Sequence, residues 1–141
     1  MADRFSIHIL WKYVITTMLK NFILVGLGGG LGSALRYGTG LIIGSKYFPY
    51  ATLAVNIIGS FIIGLVFALS IKEENFSGNW KLFLATGICG GFTTFSAFSM
   101  ENVLLLQNGK YYLAIIYITA SILFGIATAW LGYKLIDWST N

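Results

Sequence analysis

Residues 80–106, WKLFLATGICGGFTTFSAFSMENVLLL, are long and apolar enough to cross a membrane, yet their middle is a poor helix former. A helix rises about 1.5 Å per residue, so about 20 apolar residues cross a bilayer. Residues 90–99 (GGFTTFSAFS) begin with paired glycines, each costing about 1 kcal/mol relative to alanine in a helix. Their serines and threonines offer the backbone alternative hydrogen bonds. The sequence therefore predicts a membrane span whose helix is broken near its middle.

A break at this depth has two interpretations. Irregular backbone survives in a membrane only when it is buried in protein or lines a wet cavity, where carbonyls can bind a cation and amides can face an anion. Alternatively, the glycines only allow close packing of helices. The glycines alone favour packing, but their combination with interleaved phenylalanines and hydroxyls favours a functional break.

Three other apolar stretches of similar length accompany this one, at residues 22–43, 51–71 and 111–136. Hydrophobic residues make up 57% of the 141-residue chain and charged residues only 10%, against about 45–50% and about 25% in soluble domains. These proportions exclude an ordinary soluble domain and intrinsic disorder. The alternating polarity of a transmembrane β-barrel is absent from the sequence. We therefore predict an all-α membrane protein with four transmembrane helices per subunit.

The chain contains one cysteine, Cys89, and one histidine, His8. This excludes a disulfide framework and a zinc site built from cysteine and histidine pairs. The sequence contains no recognisable nucleophile–base combination and no ATP-binding motif. We therefore predict that the protein is not an enzyme.

The N-terminal residues differ from the four spans. Apolar side chains follow helical spacing there, while Lys12 and Lys20 lie mainly off that stripe. We predict an amphipathic segment at the membrane interface over residues 1–20 and a four-helix transmembrane domain over residues 21–137. A signal peptide is the alternative, but Lys12 interrupts the apolar region and no small-residue cleavage site follows it.

Basic residues are divided unequally between the two sides of the membrane. Four spans place the N-terminus, the second linker and the C-terminus on one side, with Arg4, Lys12, Lys20, Lys72, Lys81 and Lys134. The opposite side carries Lys46 and Lys110. The bias favours a cytoplasmic N-terminus. Without the N-terminal segment it becomes small enough to permit insertion in both orientations.

Phe95 and Phe98 are three residues apart, so they share a helix face. The edge of a phenyl ring is partially positive, so rings beside a pathway can hold an anion without a charged residue. Packing in the core or against lipid is the alternative.

One amide and two charged side chains inside the spans are candidates for function. The Asn56 amide is costly to bury unless it is hydrogen-bonded, and it either donates to an anion or links helices. Arg36 and Glu101 are the only ionisable residues at such depth, which makes them functional candidates. They either form a buried pair, or Arg36 attracts anions to a vestibule. For Glu101 the structural interpretation is favoured.

These motifs resemble the Fluc (CrcB) family of fluoride channels. Residues 90–99 with Glu101 resemble the third-helix signature of the family. Residues 28–32 (GGGLG) with Arg36 resemble the first helix, and residues 52–61 (TLAVNIIGSF) resemble the second. The resemblance covers about residues 22–136, so only the N-terminal segment has no clear counterpart.

The resemblance implies a dual-topology homodimer, in which two antiparallel subunits form two fluoride pores along their interface. It implies that Phe95 and Phe98 border the pores and that backbone carbonyls of Gly90 and Thr93 hold a structural sodium ion on the dyad. It also implies that further residues lie on or beside the fluoride pathway, namely Asn56, Thr94, Ser96, Ser99, Tyr117, Ser121 and Arg36. Gly125 stands where some members carry a hydroxyl.

The activity implied is passive export of fluoride across the inner membrane of a bacterium. Fluoride holds its water tightly, and hydroxyls, an amide and phenyl edges replace that water without gripping the ion. The first alternative is a small four-helix proton-coupled transporter, in which only Glu101 could serve as the required acid. The second is a structural subunit with no flux of its own.

Overall fold

The computed structural model describes residues 2–44, 47–73, 76 and 78–139. Every regular element among these residues is helical. The chain forms, in order, α1 (Ala2–Ile43), α2 (Tyr50–Lys72), α3 (Gly78–Lys81), a π-helical segment (Leu82–Cys89), α4 (Gly90–Phe92), α5 (Phe95–Gln107) and α6 (Tyr111–Ser139).

Four helical stretches are long and apolar enough to cross a membrane. They are Trp11–Ile43, Tyr50–Lys72, Gly78–Gln107 and Tyr111–Trp138. The third stretch contains α3, the π-helical segment, α4 and α5. The prediction of an all-helical, four-span membrane protein is therefore confirmed.

α1 is one helix of 42 residues, and it continues through residue 20, where the sequence suggested a boundary between two segments. Its length of about 63 Å is about twice the thickness of the hydrocarbon core. Neither glycine nor proline occurs between residues 2 and 25, so no residue there favours ending the helix. The position of residues 1–20 at the membrane interface stays a prediction.

Two glycines with positive φ lie at helix ends, Gly44 after α1 (φ 62°) and Gly109 between α5 and α6 (φ 71°). At the second turn the Lys110 N–H donates to the Leu105 carbonyl (2.8 Å), and the Gly109 N–H donates to the Leu106 carbonyl (3.0 Å). This is the Schellman pattern, which needs a left-handed residue that glycine adopts without strain. The turn joins the third and fourth spans as antiparallel neighbours.

α2 and α6 run parallel and pack closely along their length. Gly64 lies against the backbone carbonyl of Ala129, and Gly132 lies against a backbone carbonyl of α2, leaving no room for a Cβ at either glycine. Small residues allow such approach between helices in lipid. At one end of the pair, the Lys72 Nζ lies 2.9 Å from the Asp137 Oδ1.

α1 packs against the third span through a second set of glycines. A Cβ on Gly28 would lie 2.9 Å from the Cα of Gly87, and a Cβ on Gly32 would collide with the carbonyl oxygen of Ile88. Gly91 is similarly close to the backbone of Gly29. The two backbones therefore touch directly, which brings polar side chains of α1 within reach of the third span.

We expect Gly32→Ala to lower the melting temperature, because the backbone that its Cβ would meet cannot move aside as a side chain can. Overpacking of this kind costs about 1–3 kcal/mol. Gly30→Ala is the matched control, since no atom lies within 4 Å of its Cβ position and alanine favours helix by about 1 kcal/mol. Thermal unfolding in detergent measures both variants. Equal melting temperatures for the two would contradict the packing described.

Candidate functional site

The third span changes its backbone conformation four times. It begins as α-helix, widens to a π-helix over Leu82–Cys89, and returns to α-helix for Gly90–Phe92. Thr93 (φ −79°, ψ 158°) and Thr94 (φ −153°, ψ 117°) are then extended, and α5 begins at Phe95. The extended residues, here called the Thr93–Thr94 link, leave backbone groups without helical partners, and these must be satisfied by other parts of the protein.

The Asn56 side chain of α2 pairs with the backbone of Thr94 on both sides of its amide. The Asn56 Nδ2 donates to the Thr94 carbonyl (3.2 Å), and the Thr94 N–H donates to the Asn56 Oδ1 (2.8 Å). In an unbroken helix the Thr94 N–H would instead donate to the Gly90 carbonyl. Asn56 thus supports the extended backbone, and one N–H of its amide is left for another acceptor.

Two side chains of α1 approach the same link from the other side. The Arg36 Nη1 donates to the Thr93 carbonyl (3.1 Å), and the Ser33 Oγ lies 3.5 Å from the Gly91 carbonyl, which it faces as a weak donor. The buried Arg36–Glu101 pair considered from the sequence is not formed among the described residues. Arg36 instead donates to the Thr93 carbonyl, which lies in the extended link and outside any helix.

The Thr94 hydroxyl begins the next helix. Its Oγ1 accepts from the Ala97 N–H (3.2 Å), which is the N-cap position of α5, and it lies 3.2 Å from the Ser96 Oγ. The Thr93 Oγ1 donates back to the Cys89 carbonyl (2.9 Å). One threonine therefore completes the helix before the link, and the other starts the helix after it.

The two candidate phenylalanines have different surroundings. Phe95 is 80% exposed, whereas Phe98 is partly buried and meets the Tyr117 ring edge-on at a centroid distance of 5.0 Å. The Phe95 and Phe98 centroids are 5.7 Å apart. They share a face, as their spacing predicted. Because Phe95 is uncovered within one subunit, it faces either lipid or another molecule.

Glu101 is held by two hydroxyls. Its carboxylate accepts from the Thr52 Oγ1 (2.6 Å) and from the Tyr117 Oη (2.7 Å), so both carboxylate oxygens have partners. Tyr117 itself is fully buried. These bonds connect α2, α5 and α6, and they support the structural role favoured for Glu101.

Two cavities border the link, and Thr94 lines both of them. The first, of about 340 Å³, lies between α2 and the third span, and its lining includes Asn56, Ser60, Gly90, Thr93, Thr94 and Phe95. The second, of about 710 Å³, lies between α1, α2 and the third span, and its lining includes Ser33, Arg36, Thr52, Thr94, Ser96 and Glu101.

The remaining predicted residues lie farther along the helices. The Ser99 Oγ donates to the Phe95 carbonyl (2.9 Å), and the Ser121 Oγ is buried without a hydrogen-bond partner among residues 2–44, 47–73, 76 and 78–139. Sequence reasoning missed Ser33 and Thr52. Ser33 precedes Arg36 by three residues, and Thr52 precedes Asn56 by four. Residues at these spacings share a helix face, so the positions of Arg36 and Asn56 could have indicated Ser33 and Thr52.

Comparison with protein families matches residues 23–133 to the CrcB-like protein family, described as Camphor Resistance (CrcB). The chain belongs to this family. The resemblance identified from the third span and its neighbours is therefore confirmed, and it covers most of the described residues.

Three similar proteins from bacteria share the name "Fluoride-specific ion channel FluC". The relative from Azobacteroides pseudotrichonymphae is 46% identical over 123 residues, which cover 85% of this chain and 98% of the relative. Those from Flavobacterium psychrophilum and Thermus thermophilus are 48% identical over 118 and 120 residues, covering 81% and 83% of this chain and 94% and 95% of theirs. These names describe an ion channel, and the prediction that the chain is not an enzyme is confirmed.

The resemblance implies that the backbone carbonyls of Gly90 and Thr93 hold a sodium ion. Both carbonyls fit this role, but they differ in whether they already accept a hydrogen bond. Because the Thr94 N–H donates to Asn56, the Gly90 carbonyl lacks its usual helical donor. The Thr93 carbonyl already accepts from Arg36, and a carbonyl oxygen has a second lone pair. Carbonyls freed by broken helices are suitable ligands for small cations.

We expect Thr94→Ala to destabilise the CrcB-like protein by about 0.5–2 kcal/mol, since it removes the N-cap oxygen of α5. Thr94→Ser keeps that oxygen and should stay near the wild-type melting temperature. Thr39→Ala is a second control, because the Thr39 hydroxyl bonds only within its own helix at an exposed position. The measurement is thermal unfolding in detergent, and an unchanged Thr94→Ala variant would exclude the capping role.

Proposed function

We propose that this protein is a passive, fluoride-selective ion channel that exports fluoride from the bacterial cytoplasm through the inner membrane. The observation that carries the proposal is the shared name of its relatives, fluoride-specific ion channel, at 46–48% identity over more than four-fifths of the chain. Fluoride enters cells as neutral HF and dissociates inside. The membrane potential then drives the anion outward through an open path.

The chemistry of the candidate site suits a strongly hydrated anion. An anion that leaves water needs donors to replace its hydration shell, but a bare cation would hold it too firmly for conduction. The first cavity offers an amide N–H of Asn56 and hydroxyls, with the Phe95 ring at its border. Arg36 lines the second cavity instead, and one N–H of its guanidinium is used for the Thr93 carbonyl.

The assembly that we propose is an antiparallel homodimer with two pores along its interface. The 80% exposure of Phe95 supports this, because a pore-lining ring on the outer surface of one subunit requires a second subunit to cover it. The structural sodium ion would use the carbonyls of Gly90 and Thr93. Its charge offsets repulsion between anions in nearby paths.

The proton-coupled transporter is disfavoured by the surroundings of Glu101. A coupling acid must exchange protons with solvent and substrate, whereas both carboxylate oxygens of Glu101 accept hydrogen bonds from Thr52 and Tyr117. A fluoride-selective electrode on liposomes containing only this protein tests the proposal. We expect fluoride release driven by an electrical gradient, without chloride release and without a requirement for a proton gradient. Liposomes that retain fluoride would refute the channel.

Replacing Phe95 or Phe98 by isoleucine should reduce fluoride flux about tenfold, because an aliphatic side chain lacks the positive ring edge. Phe124→Ile is the matched control, since Phe124 is an exposed phenylalanine of α6 outside both cavities. The readouts are the initial rate of fluoride release and the size-exclusion profile. Wild-type rates in both variants would remove the phenyl rings from the mechanism.

Replacing Asn56 by aspartate should abolish flux for two reasons. The carboxylate repels fluoride, and it cannot donate to the Thr94 carbonyl, so it also weakens support for the Thr93–Thr94 link. Asn108→Asp is the control, because Asn108 lies in the turn after α5. Release at the wild-type rate from Asn56→Asp liposomes would place Asn56 off the ion path.

A further inference from the structure

Ser60 is a hydroxyl residue of α2 that lines the first cavity and has so far been given no individual role. It lies one turn after Asn56, so the two side chains share a helix face, and both line the cavity of about 340 Å³ beside the third span. Within the described residues the Ser60 hydroxyl makes no hydrogen bond. Leaving a polar group without a hydrogen bond in a membrane-spanning segment costs free energy.

Other hydroxyls of the same protein behave differently. Thr16, Thr39 and Ser99 each donate to the carbonyl four residues earlier in their own helices. This is the ordinary way for a serine or threonine in a helix to satisfy its hydrogen. Ser60 does not donate to the Asn56 carbonyl, so its hydroxyl is available to the cavity.

The helix opposite Ser60 provides space and a second unused hydroxyl. A Cβ built on Gly125 of α6 would meet only one atom within 4 Å, the Ser60 Oγ at 3.7 Å. One turn earlier on α6, the Ser121 Oγ is buried and has no hydrogen-bond partner in the part of the chain that the structure describes. Buried polar atoms without partners are rare in native proteins, and they often mark the place of a ligand or water. Each of α2 and α6 thus carries a hydroxyl without a hydrogen-bond partner among the described residues.

We infer that Ser60 is a fluoride-coordinating residue, whose hydroxyl, together with the remaining N–H of Asn56, binds the anion in the cavity between α2 and the third span. The inference rests on the proposed function, because it identifies a further donor for the same ion. Ser60 supplies its hydroxyl from α2 at the place where α6 has glycine. A hydroxyl and an amide are neutral donors, which suits an ion that must also leave the site.

Ser60→Ala tests the inference, because it removes the hydroxyl and leaves the helix intact. We expect its fluoride release to fall about tenfold, the effect of losing one hydrogen bond to a charged ligand. Ser70→Ala is the matched control, since Ser70 lies on the same helix and donates to the Phe67 carbonyl. Its rate should equal that of the wild type. Size-exclusion profiles and melting temperatures are measured on the same samples.

The double variant Ser60→Ala/Gly125→Ser provides a rescue. A serine at residue 125 places its Cβ within 3.7 Å of the position that the Ser60 Oγ occupied, so it returns a hydroxyl to the same region from the opposite helix. We expect it to recover most of the lost rate. A general packing defect would not be corrected by a second substitution across the contact.

The outcomes separate this inference from the proposed function. Fluoride release by the wild type together with an unchanged Ser60→Ala rate would overturn the inference and leave the channel in place. A loss in Ser60→Ala that Gly125→Ser fails to restore would also overturn it, because the lost property would then be packing. Absence of release from wild-type liposomes would instead refute the proposed function.

Discussion

The need to satisfy every backbone hydrogen-bonding group within lipid governs this protein. An unbroken helix meets the need by itself, whereas the extended residues Thr93 and Thr94 do not. Partners for their backbone groups come from two other helices, Arg36 of α1 and Asn56 of α2. The Thr94 side chain accepts from the Ala97 N–H and so caps the start of α5. Polar residues of the spans therefore lie where the backbone requires them, and some of them also line the two cavities beside the link.

The glycines of the first and third spans are a consequence of that requirement. Arg36 reaches the Thr93 carbonyl only because α1 and the third span are in backbone contact at Gly28 and Gly87. A side chain at either glycine would separate the two helices and withdraw the donor. The π-helical segment lies along this same contact, so the wider helix and the close approach occur together. The close packing of α1 on the third span and the hydrogen bond to the Thr93 carbonyl thus depend on each other.

The sequence predicted the four spans well, because hydrophobicity over about 20 residues is a strong signal that needs no tertiary information. It also indicated the residues around the link, since buried amides, hydroxyls and arginine are conspicuous in apolar helices. The π-helical segment was not predicted, because residues 82–89 are compatible with α-helix and the wider turn depends on neighbouring helices. The partners of Arg36 and Glu101 were also beyond the sequence, since composition identifies buried charges but not what they contact.

Asn56 and Ser60 differ in what their side chains do, because only Asn56 also supports the backbone of the third span. Asn56 uses its oxygen and one N–H for the Thr94 backbone, so any change there alters the structure together with the ion contact that we propose. Ser60 has no such structural bond, although it lies on the same face and lines the same cavity. In a membrane-spanning protein with an irregular backbone, most polar side chains near that backbone are needed for hydrogen bonds to it. The Ser60 hydroxyl, which has no partner among the described residues, is therefore a donor that the proposed fluoride path could use.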